Sequence, residues 1–166
     1  MTAGATPQLH PTSASDDRPL SVEAFYRQRF ADAARLVHLL TGDASIAEDL
    51  AQEVFVRVRD RYDDLDAPWA YVRAAVVNAC HAHHRSRGRE AIRLRLLGVP
   101  PDGGLDAREL LDAVDALPFR QKAVIVLRYY EDLSEADIAR TLDCRPGTVK
   151  SLASRALVNL AREIQR

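Results

Sequence analysis

The sequence predicts an all-α protein built as two small helical bundles joined by a short linker, and three observations carry that prediction. From Ser21 onward the apolar residues recur at spacings of three and four, the period of one helix face. No stretch shows the alternation of apolar and polar residues expected of a half-buried strand. Between the two periodic halves, Gly98-Val-Pro-Pro-Asp-Gly-Gly104 has five Gly or Pro in seven positions, which marks a linker and the expected domain boundary.

The elements follow in order. Residues 1–19 are rich in Thr, Ser, Pro and Ala, too poor in large apolar groups to offset the entropy of ordering, so a disordered tail is expected. The first helix carries Val22, Phe25, Tyr26, Phe30, Ala33, Leu36, Val37 and Leu40, and ends at Gly42, which suits a left-handed C-terminal position. Ser45-Ile-Ala-Glu48 reads as a capping box for the second helix, with Ala47, Leu50, Ala51, Val54, Phe55 and Val58 on one stripe as far as about Tyr62. Its opposite face carries Asp49, Gln52, Glu53 and Arg57. A third helix opens at Asp66-Ala67-Pro68, because Asp caps well and Pro is tolerated in a first turn. Trp69, Val72, Val76, Ala79 and His83 line one side of it, and it is expected to end in the run from Arg85 to Arg89. Ala74, Asn78, His81, Arg85 and Arg89 fall together on the other side.

Beyond the linker, residues 105–117 form a short acidic amphipathic helix, and Pro118 is expected to open the next. That next helix, with Phe119, Ala123, Val124, Ile125, Val126, Leu127 and Tyr130, is apolar almost all round, as for a helix buried on most sides. Ser134-Glu-Ala-Asp137 caps a short helix that turns Ala136, Ile138, Ala139 and Leu142 inward. After Asp143-Cys144-Arg145, Pro146 starts a last helix with Val149, Ala153, Ala156 and Leu160 on its inner face.

Composition excludes several classes of function. The chain has 166 residues with 23 Lys+Arg against 24 Asp+Glu, and only two cysteines, Cys80 and Cys144, too few for a secreted disulfide framework. With no signal-peptide pattern and no apolar run of membrane-spanning length, the expectation is a cytoplasmic protein without membrane insertion. Cys80 with His83 or His84 has a helical spacing that brings ligands together, but no second ligand pair lies elsewhere at zinc-finger spacing, and no metal or other cofactor is expected. No nucleophile motif, Gly-rich phosphate loop or catalytic dyad is present, so the chain is not expected to be an enzyme.

A net charge of −1 looks unfavourable for a nucleic-acid protein. It conceals a polarised chain, with −4 over 20–68, +5 over 69–95, −4 over 96–117 and +4 over 145–166. Taken singly, each basic run reads as a solvated helix end. The last two helices give the second run a different meaning. Leu133-Ser-Glu-Ala-Asp-Ile-Ala-Arg-Thr-Leu142, a short turn and Arg145-Pro-Gly-Thr-Val-Lys-Ser151 form a helix-turn-helix, whose second helix projects its first turns into a major groove. Thr148, Lys150, Ser151, Ser154 and Arg155 are its exposed candidates for base edges and phosphates. On the third helix, Asn78, His81 and Arg85 share a face near Trp69 and Tyr71, a combination suited to unstacked bases.

Four ordered motifs then resemble the bacterial sigma-70 family of transcription initiation factors: Glu48-Asp-Leu-Ala-Gln-Glu-Val-Phe55, Tyr71-Val-Arg-Ala-Ala-Val-Val-Asn78 with its basic run, Leu117-Pro-Phe-Arg-Gln-Lys-Ala-Val124, and Gly147-Thr-Val-Lys-Ser151. The small size and two-module layout are similar to the extracytoplasmic-function (ECF) group. The resemblance implies a sigma-2-like domain over 20–95, a linker over 96–105 and a sigma-4-like helix-turn-helix domain over 106–166. It implies core RNA polymerase as partner, at its β′ clamp and β flap regions, with Asp49, Gln52, Glu53 and Arg57 on the clamp. It places Asn78 on a base of the melted −10 element with Arg73, His81 and Arg85 in support, and Thr148, Lys150, Ser151, Ser154 and Arg155 on the −35 duplex. An anti-sigma factor is a further partner that it implies. Leu152 and Leu157 stand where the family commonly carries basic residues, and each missing phosphate contact is expected to make salt dependence shallower by about one unit. The alternative to the family reading is a polymerase-independent helix-turn-helix regulator, whose first bundle would dimerise and whose sites would be palindromic.

Overall fold

The computed structural model describes residues 21–96 and 113–164, with side chains for 21–86 and 113–162. The expected tail over 1–19, the linker and most of the acidic helix over 105–117 lie outside the described residues. Every regular element among the described residues is helical, in the order α1 (Val22–Thr41), α2 (Ala47–Arg59), α3 (Pro68–Leu96), α4 (Phe119–Tyr129), α5 (Glu135–Thr141) and α6 (Pro146–Ile164). Single 3-10 turns, Ala44–Ile46 and Tyr62–Asp64, flank α2.

Local chemistry sets the boundaries. The Ser21 hydroxyl accepts from Ala24 N at 3.2 Å to cap α1, and Gly42, at φ 70°, closes it by donating to His38 O. Where a Cβ would sit on Gly42, the Asp115 carboxylate is only 2.7 Å away, so a larger residue would have to displace that carboxylate and adopt a strained left-handed backbone. The expected Ser45 capping box does not form. Asp43 caps instead, its Oδ1 accepting from both the amide and the hydroxyl of Ser45, because α1 ends so close that the chain re-enters helix through a 3-10 turn. Accordingly α2 stops at Arg59, and Tyr62 falls in the following turn.

Two further boundaries differ from expectation. The third helix runs on to Leu96, because Gly88 alone, at a cost of about 1 kcal/mol, does not halt a segment rich in Ala, Arg, Glu and Leu. Pro118 caps α4 rather than opening it: its ψ of 139° is extended, and its carbonyl accepts from the amides of Gln121 and Lys122. The helix-turn-helix boundaries agree with expectation, with Ser134 Oγ accepting from Asp137 N at 3.1 Å and α6 beginning at Pro146. Asp143 adopts a positive φ in the turn between them, which Asp tolerates better than most residues.

The two bundles form as expected, and they also pack against each other. In the first module α1, α2 and α3 surround Leu36, Val37, Leu40, Val54, Val58, Val72 and Val76, with Phe25, Tyr26, Phe30 and Phe55 in aromatic contact at one end. In the second, α4, α5 and α6 bury Val124, Leu127, Ile138 and Val149. These residues belong to one continuous apolar cluster, because α4 lies against both α1 and α3 while α5 touches α3. A smaller cluster of Ala113, Leu117, Ala156 and Leu160 closes the far side of α6. Lys122 lies within the apolar surface of α4, its stem buried and its Nζ 2.8 Å from Asp115 Oδ1.

Because Leu127 is fully enclosed, Leu127→Ala is expected to cost about 2–5 kcal/mol, and Ser134→Ala about 1 kcal/mol through the lost cap. Lowered urea midpoints in equilibrium unfolding check both.

Candidate nucleic-acid interface

The helix-turn-helix is built from its caps outward. Ser134 starts α5; Ile138, Ala139 and Val149 bury the angle between α5 and α6; and the Cys144 amide donates to Ala139 O at 2.9 Å across the turn. Burying Val149, Ala153, Ala156 and Leu160 leaves Thr148, Lys150, Ser151, Ser154 and Arg155 exposed together at the start of α6. Leu152 is half-buried against the core, so it belongs to packing and not to the DNA face. Leu157 is exposed beside Val158. An intramolecular anion already occupies the recognition surface: Glu135 lies 3.4 Å from Arg128 and 3.7 Å from Lys150. Nothing in the local sequence pattern marks Glu135 for this, since its role in α5 looks like that of any acidic first-turn residue.

On α3 the structure divides the expected set. Asn78 and Arg85 are exposed, whereas His81 is half-buried and the Arg73 side chain is only 14% exposed. Arg73 Nη1 is 3.4 Å from Oε2 of Glu131, itself 6% exposed, and its guanidinium also lies 5.9 Å from the centre of the Trp69 ring. The His81 ring stacks on Phe119 at 5.0 Å with an interplanar angle of 14°, and His84 contacts the same ring. Burial raises the Glu131 carboxyl above its ordinary value; Arg73 opposes this as a nearby cation and hydrogen-bond donor. Trp69 is buried, as a core residue and not an open stacking platform. The side chain of Arg89 is outside those described.

Asp49, Gln52, Glu53 and Arg57 all lie exposed on one face of α2, with Arg57 paired to Glu53. Sequence reasoning missed what borders them: a groove of about 610 Å3 between α1 and α2, lined by Tyr26, Arg27, Gln52, Phe55, Val56 and Arg59. Val56 is 49% exposed there, an apolar residue that breaks the α2 stripe and was the available signal.

Cys80 is fully buried, which pushes its thiol up to about 12 and leaves it a packing residue. Among the described residues no three His, Cys, Asp or Glu side chains cluster in a way that would hold a metal ion, and no helix is long and apolar enough to cross a membrane.

A helix-turn-helix with a polar and cationic recognition face, joined to a second helix face of amide and cation, defines a two-module factor that reads nucleic acid. Comparison with known proteins specifies it further: residues 22–90 match Sigma-70 region 2 and residues 107–160 match Sigma-70, region 4. The RNA polymerase sigma-E factor of Streptomyces avermitilis is 31% identical over 157 residues, covering 88% of this chain and 86% of that protein. The ECF RNA polymerase sigma factor SigC of Mycobacterium tuberculosis is 31% identical over 160 residues, covering 87% and 83%. In fold, the chain is similar to the sigma factor RpoE of Bartonella quintana, solved in complex with the anti-sigma factor NepR, with a TM-score of 0.69 at 23% identity over 86% of this chain and 96% of that one. The chain belongs to the sigma-70 family of RNA polymerase sigma factors, in its extracytoplasmic-function group. It directs core RNA polymerase in promoter recognition and transcription initiation, and the reading as a polymerase-independent regulator falls away.

The buried Glu131 carboxyl makes a pH prediction. Its folded-state pKa is raised above 4.5, so the folded chain holds this proton more tightly than the unfolded one; the resulting stability is fully present below 4.5 and is lost as pH rises through the raised value. The Glu131→Gln variant lacks this dependence, apart from a constant offset for the lost ion pair. Urea unfolding from pH 4.5 upward is therefore expected to show wild type losing stability relative to the variant. Parallel curves would contradict it.

Proposed function

We propose that the work of initiation is divided among three helix faces, with module boundaries near 20–95 and 106–166 flanking the linker. The exposed polar face of α2, Asp49, Gln52, Glu53 and Arg57, docks on the β′ clamp of core polymerase, with Val56 and the adjoining groove supplying the apolar centre such an interface needs. On α3, Asn78 holds a base of the melted −10 strand by its amide, while Arg73, His81 and Arg85 support the strand. On α6, Thr148, Lys150, Ser151, Ser154 and Arg155 read the −35 duplex from the major groove, and the module leans on the β flap.

The observation that carries this reading is the exposure of Asn78 and Arg85 on one helix and of the five recognition residues on another, each face opposite a buried apolar stripe. A single-strand reader and a groove reader on separate modules account for two separate basic islands in a chain of net charge −1. An anti-sigma factor is a further proposed partner, and the complex in which the Bartonella quintana factor was solved supports looking for one.

In vitro transcription with core polymerase, with and without the chain, on a library of upstream sequences tests the division. Asn78→Ala is expected to reduce open-complex formation while leaving duplex −35 binding intact; equal loss of both contradicts separate readers. Lys150→Ala is expected to weaken duplex binding across sequences and to make the slope of log affinity against log salt shallower by about one unit. An unchanged slope removes Lys150 from the phosphate contacts.

A further inference from the structure

We propose that Glu135 limits the affinity of the chain for any DNA duplex, its carboxylate standing in for a phosphate on Lys150 until duplex displaces it. This rests on the reading of α6 as the −35 reader, and it gives a role to a residue that lies outside the recognition helix.

Glu135 opens α5, and its two oxygens face two different helices. Oε1 lies 3.4 Å from Arg128 Nη2 near the end of α4, and Oε2 lies 3.7 Å from Lys150 Nζ on α6. The other carboxylate of α5, Asp137, is committed to Ser134 and Arg140. Exposure decides which partner of Glu135 can leave. The Arg128 and Glu135 side chains are 37% and 31% exposed, whereas that of Lys150 is 69% exposed. Arg128 also donates a hydrogen bond to Oε1, so it anchors the carboxylate from one side, and Lys150 is the exchangeable cation on the other.

A phosphate that approaches Lys150 must replace an anion already there. Exposed ion pairs are weak, so this competitor lowers duplex affinity by about two- to fivefold near 0.1 M salt without blocking the surface. When Lys150 turns to the phosphate, Glu135 keeps Arg128, so the carboxylate that remains near the DNA is still paired. Phosphates carry no sequence information, so the penalty falls alike on a −35 site and on generic duplex. Sequence preference is therefore untouched, and what falls is absolute affinity. The chain by itself is held off DNA in general, and stable occupancy awaits the further contacts that polymerase brings to the same promoter. Salt weakens the internal pair as it weakens any exposed pair, so the competitor matters most at low ionic strength.

The test measures binding of the full chain to fluorescein-labelled duplexes by anisotropy over a range of salt concentrations. One duplex has random sequence and the other carries an upstream fragment that supports chain-dependent transcription. Glu135→Gln is expected to bind both about two- to fivefold more tightly near 0.1 M salt, and to steepen the slope of log affinity against log salt by up to about one unit. Lys150→Met keeps the side-chain stem and removes its charge, and in that background Glu135→Gln should lose most of its effect. Misfolding cannot produce the expected gain, because a purely structural Glu135 would show as a lowered urea midpoint with weaker binding. Equal gains in both backgrounds would mean general charge repulsion and would overturn the competition at Lys150. A gain confined to one duplex, or no gain at all, would overturn it too. If Lys150→Met alone weakens duplex binding while Glu135→Gln changes nothing, the inference fails and the reading of α6 stands. If Lys150→Met and Arg155→Met together leave duplex binding unchanged, it is the reading of α6 that fails.

Discussion

The carboxylate of Glu131 reaches Arg73 only because Asp132 closes the loop after α4 with a positive φ, while Glu131 N and Leu133 N donate back to Val126 O and Leu127 O. This pair joins residues 58 positions apart and lies at the junction of the two modules. Buried ion pairs of this kind gain little net stability, since the cost of desolvating two charges offsets their attraction. The raised pKa of Glu131 is the signature of that cost exceeding what Arg73 returns. The affinity between the modules must then come from apolar contact, Phe119 and Val126 joining the cluster that includes Val72, Val76 and Cys80. What the ion pair contributes is register: it fixes where α4 lies along α3, and with it which part of α3 is covered.

Much of the fold was legible because helices announce themselves through a short period. The stripe Val149, Ala153, Ala156 and Leu160 fixed the inner face of α6 and, by subtraction, its outer one; the structure buries these four and exposes the five recognition candidates. Cap positions were less secure, because Asp43 and Ser45 are both good caps and the choice depended on where α1 stopped. The contacts between modules were not legible at all. Arg73 on an amphipathic helix looks like a solvated cation, and Glu131 like a solvated loop carboxylate; no period links them, and only the docking of α4 against α3 brings them together. For the same reason the packing of the two bundles against each other was not legible, the Gly- and Pro-rich linker predicting a break between modules and nothing about contact across it.

The two modules solve the same electrostatic problem in the same way. Arg73 of the first module is matched by Glu131 of the second, and Lys150 by Glu135 within the second, so cations proposed for nucleic acid are already held by carboxylates of the chain. A free cationic cluster would bind any duplex through counterion release, with an affinity set by charge alone. A cation already neutralised gains less from a random phosphate, since the phosphate must replace an anion and not merely approach a cation. On the proposed division of faces, the exchange favours DNA only when further contacts accompany it: base edges on α6, an unstacked base at Asn78, and the polymerase surface against α2. On that proposal, near-cancellation of charge along the chain is part of how it discriminates. On the same proposal, the acidic residues lower its affinity for DNA in general and leave its affinity for a promoter, presented on polymerase, to the contacts that carry sequence.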